Sequence, residues 1–336
     1  MNKMTHIQDF SRVLTHIQQT RQKAYAQVNT TLIELYWHIG SIISQKLGEQ
    51  AWGKSVVSEL AQFIAKNDPT AKGFSDKNLW RMKQLYETYR DDEKLSPLVR
   101  ELPWTHNTII FSRCKTAEAR AFYLHLTIQD KYSKRELERQ IDACTFERTV
   151  MGNQKLSAVL KELHPGIDNT FKDNYVLEFL GLPQAHSEMH LQTALVQNMK
   201  QFILELGRDF IFVGEEYRLQ VGNQDFFIDL LFFHRGLSAL VAFELKIGKF
   251  EPEHIGKLNF YLEALDRDVK KTHENPSIGV LLCSDKDDEV VEYALSRTLS
   301  PTLIAQYQTQ LPDKKLIQAK LHELYTLSIE VQEFQS

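Results

Sequence analysis

The sequence is poor in cysteine and has no long apolar run. Its three cysteines, Cys114, Cys144 and Cys283, are far apart, and their spacing fits no zinc-binding pattern. We therefore expect three reduced, buried thiols in a protein of the reducing cytoplasm. No apolar stretch reaches the roughly 18 residues that a membrane-spanning helix needs. The first twenty residues are polar and amphipathic, so we do not expect a signal peptide there.

A glycine-rich phosphate-binding loop is also missing. No such loop precedes a helix anywhere in the chain, which argues against a phosphotransfer or regulatory nucleotide-binding domain. The composition is otherwise that of an ordinary globular protein, with 43% hydrophobic and 25% charged residues. A length of 336 residues suggests two domains or one large one.

The charge is divided unevenly along the chain. Residues 1–150 hold 22 Lys and Arg against 17 Asp and Glu, a net charge of +5. Residues 151–336 hold 18 against 27, a net charge of −9, so the two parts add up to the −4 of the chain. A basic first half and an acidic second half suit DNA contact in the first and metal binding in the second. Ordinary solvated surface is the alternative explanation.

Residues 1–150 are predicted to be helical, because apolar residues recur at three- and four-residue spacing. Two of the predicted helices flank a turn rich in Asp, Pro and Gly, and Ser75 is placed to cap the second of them. Lys77, Arg81 and Lys83 share that helix, as in a helix-turn-helix whose second helix meets DNA. The loop is longer than the usual three or four residues, so a plain helical packing or dimerisation unit remains the alternative.

The pattern changes after a segment with Pro and Gly but no long periodic run. We predict a helical domain at 1–150, a connecting segment at 151–187 and a second domain at 188–330. In the second domain one helix precedes three consecutive strands, a crossover helix and a parallel strand. The fold class expected is α+β overall: an all-α domain, then an α/β domain with an αβββαβ mixed central sheet.

Three charged residues, Asp229, Glu244 and Lys246, interrupt the most apolar strands of this domain. If the hairpin between them turns between Gly236 and Leu237, paired residues have numbers that add up to 473, as 229 and 244 do. The two carboxylates would then face each other, with Cβ atoms about 4.5–5.5 Å apart. Such a pair repels unless a cation lies between, and Mg²⁺ accepts one or two carboxylates together with water and phosphate oxygens. Lys246 points to the same face, and a cross-strand salt bridge is the alternative.

The segment IDLLFFHRGLSALVAFELK resembles the motif of the PD-(D/E)XK nuclease superfamily, in which an Asp ends one strand and Glu-x-Lys lies on the next. Ile228 stands where the superfamily name has proline. More narrowly, nearly the whole chain resembles the YhcG-type family of that superfamily. The first half carries this similarity through GFSDKNLWRMKQLYETY, LPWTHNTII and AFYLHLTIQDKYSKRELERQI. The second half carries it through FILELG, FVGEEYRL, LVAFELKIGKFEPEHIGKLNFYLEALD and ENPSIGVLLCSDKDDEVVEYAL.

The resemblance implies a restriction-endonuclease-like domain that hydrolyses phosphodiester bonds of DNA with Mg²⁺ or Mn²⁺. It makes Asp229 and Glu244 metal ligands and Lys246 the catalytic lysine. Many superfamily members add an acidic residue on the helix before the first strand. Glu205 is the first candidate for that catalytic role, and Glu188 is the second.

The resemblance also implies contacts with nucleic acid. Related nucleases carry Gln-x-x-x-Tyr on the helix after the lysine, and here Tyr261 matches while Lys257 replaces the Gln. Lys257 could still touch a phosphate. The expected nucleic-acid contacts are Lys249, Lys257, Tyr261 and Arg235 near the site, with Lys77 and Arg81 on the helical domain. That domain could also form a homodimer or join a larger complex, and the alternative function is a nucleic-acid-binding or complex-forming protein whose nuclease-like domain is inactive.

Overall fold

The structure of the protein is a computed structural model. It describes residues 3–49, 52–152, 154–165, 167, 170–183 and 185–333, and the side chains described exclude those of 3–9, 54 and 324–333. The chain divides into two compact units, Met1–Ile141 and Asp142–Ser336. The division lies a few residues before the boundary predicted at 150.

The first unit is helical. Its helices are α1 (Lys3–Gly48), α2 (Lys54–Asn67), α3 (Asp76–Tyr89), α4 (Leu95–Glu101), α5 (Trp104–Arg113), α6 (Ala117–Asp130) and α7 (Lys134–Asp142). Another helix, α8 (Thr145–Met151), begins the second unit. The described residues up to 150 contain no strand, which confirms the prediction that this part of the chain is almost wholly helical.

The core of the helical unit forms where the C-terminal half of α1 packs against α3. Ile33 and Ile43 of α1 and Leu79 and Met82 of α3 are completely buried. Gly40 lets the two helices approach closely, because a Cβ atom at this position would lie 2.2 Å from the carbonyl oxygen of Met82. Helix propensity disfavours glycine inside a helix, so the contact with α3 explains its presence here.

The predicted pair of helices around the turn is present as α2 and α3. After α2 ends, the carboxylate of Asp68 accepts the backbone N–H groups of Thr70 and Ala71 and shapes the turn. Ser75 is the N-cap residue of α3, as predicted, although its side chain makes no capping hydrogen bond. The order helix–loop–helix is confirmed, and contact between α3 and DNA stays a prediction.

The second unit is built on a mixed sheet of seven strands. They are β1 (Lys155–Leu156), β2 (Asn174–Val176), β3 (Phe210–Val221), β4 (Gln224–His234), β5 (Ala239–Lys249), β6 (Asn275–Asp285) and β7 (Thr302–Gln308). The spatial order is β1-β7-β6-β5-β4-β3, and β2 also pairs with β7. Strands β3, β4 and β5 are antiparallel, whereas β5, β6 and β7 are parallel, so the predicted meander with a parallel crossover is confirmed.

Helices cover both faces of this sheet. They are α9 (Ala158–Leu163), α10 (Glu188–Gln197), α11 (Met199–Leu206), α12 (His254–Ala264), α13 (Asp288–Leu295) and α14 (Lys314–Glu333), with a 3-10 turn at Glu178–Leu180 and a π-helical turn at Leu265–Val269. Helices α10 and α11 pack on one face through Leu195 and Phe202, against Phe232 and Phe243 among others. We call the opposite face, where Leu258 of α12 is packed, the α12 face.

Two details of the second unit differ from the prediction. The segment 151–187, predicted as a connection, contributes β1 and β2 to the sheet. Strands of two and three residues are too short to show the alternating pattern by which strands are recognised. The single helix predicted over 188–207 is broken at Asn198, which lies between α10 and α11 with a non-helical φ of −109° and ψ of 28°.

Cys114, Cys144 and Cys283 are buried, as the sequence predicted, and no disulfide joins any two of them. None of the described helices combines the length and the apolar character needed to cross a membrane. The compartment of the protein remains a prediction.

Gly40→Ala tests the close approach of α1 and α3. The new methyl group would meet the Met82 carbonyl, so the helices must separate, and we expect a loss of about 1–3 kcal/mol in the free energy of unfolding. Gly48→Ala is the matched control, because Gly48 ends the same helix and has nothing within 4 Å of an added Cβ. Urea unfolding measures both variants, and equal midpoints for them would contradict the packing described here.

Candidate active site

The predicted register of the β4–β5 hairpin is present. Leu230 pairs with Phe243 and His234 pairs with Ala239, so the numbers of paired residues add up to 473. The paired register ends at Leu230 and Phe243, one step before Asp229 and Glu244, and these two carboxylates lie close enough for the charge of Glu244 to act on Asp229. On β5, alternate residues such as Ala242 belong to the α12 face, so Glu244 and Lys246 point toward that face as well. The hairpin therefore brings Asp229, Glu244 and Lys246 together.

Asp229 is held by hydrogen bonds from β5 and from α10. Its Oδ2 accepts the backbone N–H of Leu245 at 2.7 Å, and its own carbonyl accepts the side-chain amide of Gln192 at 3.1 Å. Burial and, after it, the neighbouring charge of Glu244 raise the pKa of Asp229 to about 6. A raised pKa in a carboxylate beside a second carboxylate marks a place where a cation would lower the energy of the ionised pair.

Glu244 is the most buried of the charged residues at the site. Its side chain is 1% exposed, and its Oε1 lies 2.5 Å from Nζ of Lys257 and 3.1 Å from Nζ of Lys246. Its Oε2 is buried and has no hydrogen-bond partner among the described residues. Two lysines therefore pair with Oε1, whereas Oε2 has no partner among the described residues. A buried carboxylate oxygen without a partner is costly.

Lys246 joins Glu244 to a third carboxylate. Its Nζ lies 3.2 Å from Oε2 of Glu188, at the first turn of α10, and the backbone N–H of Ile247 donates to the same carboxylate. Burial alone would lower the pKa of Lys246, but the charges of Glu244 and Glu188 outweigh it and raise the pKa. Lys246 is therefore a firmly held ammonium group.

A bulge interrupts β5 directly after these residues. The pairing with β6 shifts between Lys246 and Lys249, and Gly248 between them has a φ of +93°, which favours glycine. Ser284 fixes this turn because its hydroxyl accepts the N–H of Gly248 at 2.8 Å and donates to the Gly248 carbonyl. Beyond the bulge Lys249 is exposed, and its Nζ atom lies 3.6 Å from Oδ2 of Asp287.

Lys257 and Tyr261 reach the site from α12. The Nζ atom of Lys257 donates to Oε1 of Glu244 and lies 5.4 Å from the centre of the Tyr261 ring. Tyr261 is 2% exposed, and burial raises the pKa of its hydroxyl. The ring therefore supports the Lys257 side chain, and Lys257 itself is joined to a carboxylate, a contact that the sequence did not indicate.

Two predicted site residues lie elsewhere. Glu205 is completely buried on α11, whose residues Phe202 and Leu206 pack on the face of the sheet opposite α12. Its carboxylate lies 3.2 Å from Nζ of Lys172 and 3.6 Å from Arg148, so it is a compensated internal charge. Glu205 therefore lies apart from the predicted catalytic group, whereas the second candidate, Glu188, contacts Lys246, and a catalytic role for Glu188 stays a prediction.

Arg235 is the other correction. It lies in the turn of the β4–β5 hairpin, and its backbone N–H donates to the carbonyl of Asp209. Six residues of extended strand separate it from Asp229, a distance of about 20 Å. The prediction had placed it near the site because it is close to Asp229 in sequence, whereas the strand carries it to the far end of the sheet.

Lys77 and Arg81 belong to the helical unit. Lys77 is exposed on α3, and Arg81 is half-buried on the next turn of the same helix. Lys83 lies two residues further along the helix, and its Nζ atom pairs with Oε2 of Glu87 at 2.5 Å. Lys77 and Arg81 thus keep the helical spacing that the sequence predicted.

The donor groups fit a divalent cation such as Mg²⁺. The described residues contain no cluster of three or more Asp, Glu, His or Cys side chains, so an all-protein cage is not formed. Mg²⁺ usually takes only one or two carboxylates and fills its other positions with water and substrate phosphate. The partnerless Oε2 of Glu244 and the adjacent Asp229 supply this smaller set.

The chain is similar to known proteins over most of its length. Residues 168–322 match the family described as "YhcG PDDEXK nuclease domain", and residues 12–148 match the "DUF1016 N-terminal domain". A protein of Escherichia coli (strain K12) described as "Putative nuclease YhcG" is 32% identical over 342 residues, which cover 91% of this chain and 90% of that protein.

Solved structures give weaker matches. A repair endonuclease from Pyrococcus abyssi matches 39% of this chain and 50% of its own, with 15% identity and a TM-score of 0.27. A complex of EndoMS with double-stranded DNA matches 40% of this chain and 48% of its own, with 16% identity and a TM-score of 0.26. The matched region spans about half the length of these solved chains. The identity to the Escherichia coli protein over nine-tenths of both chains, together with the two family matches, is decisive: the chain belongs to the YhcG family, with a PDDEXK nuclease domain behind a DUF1016 N-terminal domain.

Proposed function

We propose that the protein is a Mg²⁺- or Mn²⁺-dependent endonuclease that hydrolyses phosphodiester bonds of DNA. One observation carries the proposal: two carboxylates, Asp229 and Glu244, meet on adjacent strands, and a buried oxygen of Glu244 has no partner among the described residues. Lys246 lies 3.1 Å from the same carboxylate, which completes the residue types that the nuclease motif needs.

Each side chain has a defined role in this reaction. Asp229 and Glu244 would hold the divalent cation, which when bound lowers the pKa of a water molecule and polarises the phosphoryl oxygen. Lys246, fixed by Glu188, would orient the attacking water and offset negative charge as it develops on the phosphate. Glu188 acts by positioning Lys246, because its carboxylate also accepts the backbone N–H of Ile247.

The helical unit would supply many of the contacts that bind DNA. Its part of the sequence carries the excess of Lys and Arg, and Lys77 and Arg81 lie one turn apart on α3. Contacts between such side chains and phosphates position a protein on the duplex without reading its sequence. Lys249, exposed at the end of β5, would add a phosphate contact beside the candidate active site.

The helical unit would also meet a protein partner, either a second copy or a larger complex. Helix α1 exposes a stripe of apolar side chains at three- and four-residue spacing, made of Phe10, Val13, Leu14 and Ile17. Such a stripe is typical of a helix that packs on another helix. Three buried cysteines that form no disulfide with one another support a cytoplasmic location for the assembly.

Asp229→Asn separates an enzyme from a binding protein. The substitution removes one metal-binding charge while keeping the volume and the acceptor for the Leu245 N–H. We expect cleavage of plasmid DNA with Mg²⁺ or Mn²⁺ to fall at least 100-fold, while DNA binding in a gel shift stays equal or becomes slightly stronger.

The control on the same strand is Asp225→Asn, because Asp225 is exposed and pairs with Arg218 at 2.9 Å. This variant should cleave like the wild type. If the wild type binds DNA but cleaves neither plasmid, single-stranded nor branched DNA with either metal, the alternative of a binding protein with an inactive nuclease domain is favoured. If RNA alone is cut, the nuclease stands and the DNA assignment fails.

Replacing Lys77 and Arg81 together by Ala tests the role of α3 in DNA binding. Loss of two phosphate contacts should weaken binding several-fold and reduce the slope of log K against log salt by about 2. Lys66→Ala, an exposed lysine at the end of α2, is the control. An unchanged salt slope in the double variant, measured by fluorescence anisotropy, would remove α3 from the interface.

The raised pKa of Asp229 predicts a pH-dependent stability difference in metal-free protein. Its pKa is about 6 in the folded state against an ordinary value of 3.8, so the folded state binds this proton more tightly than the unfolded chain. The ionised carboxylate therefore destabilises the fold above about pH 6, and the cost disappears as the pH falls toward the ordinary value.

Asp229→Asn should accordingly raise the Tm of the chelator-treated protein at pH 7.5, and its advantage over the wild type should narrow at pH 5. Differential scanning fluorimetry of both proteins at the two pH values measures this. An advantage that is absent at pH 7.5, or that grows at pH 5, would contradict the assigned environment of Asp229.

A further inference from the structure

Two ammonium groups share one oxygen of Glu244, and they are held very differently. Lys246 approaches at 3.1 Å, has an 18% exposed side chain and is also paired with Glu188. Lys257 approaches more closely, at 2.5 Å, yet its side chain is 47% exposed. Lys246 is therefore fixed from two sides, whereas Lys257 reaches Glu244 from the solvent side of the site.

Lys257 is placed so that it can leave Glu244 without disturbing the fold. It lies in the first turns of α12, and its contacts are the Glu244 carboxylate and the face of the Tyr261 ring. A lysine side chain with four rotatable methylene groups and half its surface in water can move between partners. Tyr261 is buried and stays in place when it does.

We propose that Lys257 is a positioning residue that acts as a built-in substitute for the metal: its ammonium group occupies the cation's place at Glu244 in the metal-free protein and moves to a substrate phosphate when a metal binds. This inference rests on the proposed metal site. It goes beyond the nuclease motif, because the residues of that motif are Asp229, Glu244 and Lys246.

The charges at the site favour such an exchange. Three carboxylates, those of Asp229, Glu188 and Glu244, face the two ammonium groups of Lys246 and Lys257. Their sum is −1 with Lys257 in place and −2 without it, so Lys257 weakens the attraction that a divalent cation meets on approach. A metal ion and the Lys257 ammonium group on the same carboxylate also repel each other, so binding of one disfavours the other.

The exchange couples the metal to the nucleic acid. Once a metal displaces Lys257, the free ammonium group adds a positive charge beside the position of a bound phosphate. Nucleic acid would in turn hold Lys257 away from Glu244 and so raise the affinity for metal, since coupling between two ligands is reciprocal. The protein alone would then bind metal weakly, and the complex with DNA would bind it well.

Isothermal titration with Mn²⁺ tests the inference without any turnover. In the absence of DNA, Lys257→Gln should bind Mn²⁺ about tenfold more tightly than the wild type, within the usual range of coupling between sites. Lys271→Gln is the matched control, because Lys271 is an exposed lysine that precedes β6 at the end of the sheet away from Glu244. Its Mn²⁺ affinity should stay within about twofold of the wild type. Lys257→Met serves as a second variant of similar length and no charge.

The second arm adds a DNA duplex with phosphorothioate linkages that resist cleavage. The duplex should raise the Mn²⁺ affinity of the wild type and have a much smaller effect on Lys257→Gln. Equal Mn²⁺ affinities of wild type, Lys257→Gln and Lys257→Met would overturn the inference and leave the proposed nuclease site standing. Absence of Mn²⁺ binding by all three proteins, with and without the duplex, would overturn both.

Discussion

The buried carboxylate of Glu244 is the constraint around which the second unit is arranged. A carboxylate at the centre of an apolar sheet costs several kcal/mol unless cations or hydrogen bonds compensate it. Two lysines compensate one of its oxygens, and the other oxygen is left without a partner among the residues described. This imbalance makes a metal ion a better explanation of the residue than stability, because a salt bridge selected for stability alone would satisfy both oxygens.

The surrounding elements each fix one part of this arrangement. The antiparallel hairpin of β4 and β5 brings Asp229 near Glu244, and a bulge at Gly248 interrupts β5 after Lys246. Helix α10 supplies Glu188 to hold that lysine, while α12 supplies Lys257. The parallel strands β6 and β7 supply none of these charged side chains. The strands therefore fix the distances between Asp229, Glu244 and Lys246. The helices supply the further charges, those of Glu188 and Lys257.

The sequence predicted the parts of this site that depend on strand periodicity. The register of the β4–β5 hairpin, in which paired numbers add up to 473, followed from the position of the turn, and the side shared by Glu244 and Lys246 followed from the two-residue repeat. The sequence did not predict the position of a residue where that position depends on contacts with residues distant in the chain. A helix pattern around Glu205 gives no sign of which sheet face its helix covers, and Arg235 is close to Asp229 in sequence but far along the strand. Strands β1 and β2 were missed because they exist only through their pairing with β7.

The unfavourable charges at the site help to distinguish an active nuclease from an inactive one. A buried aspartate with a pKa near 6 and a partnerless glutamate oxygen both oppose folding in the metal-free protein. Most substitutions at such positions would relieve the repulsion, so an unused site would be free to lose one carboxylate. The chain keeps both, together with Lys246 and the glutamate that holds it. Unfavourable charges that persist together are typical of a functional site, where the ligand and substrate supply the missing compensation, and this supports turnover over binding alone.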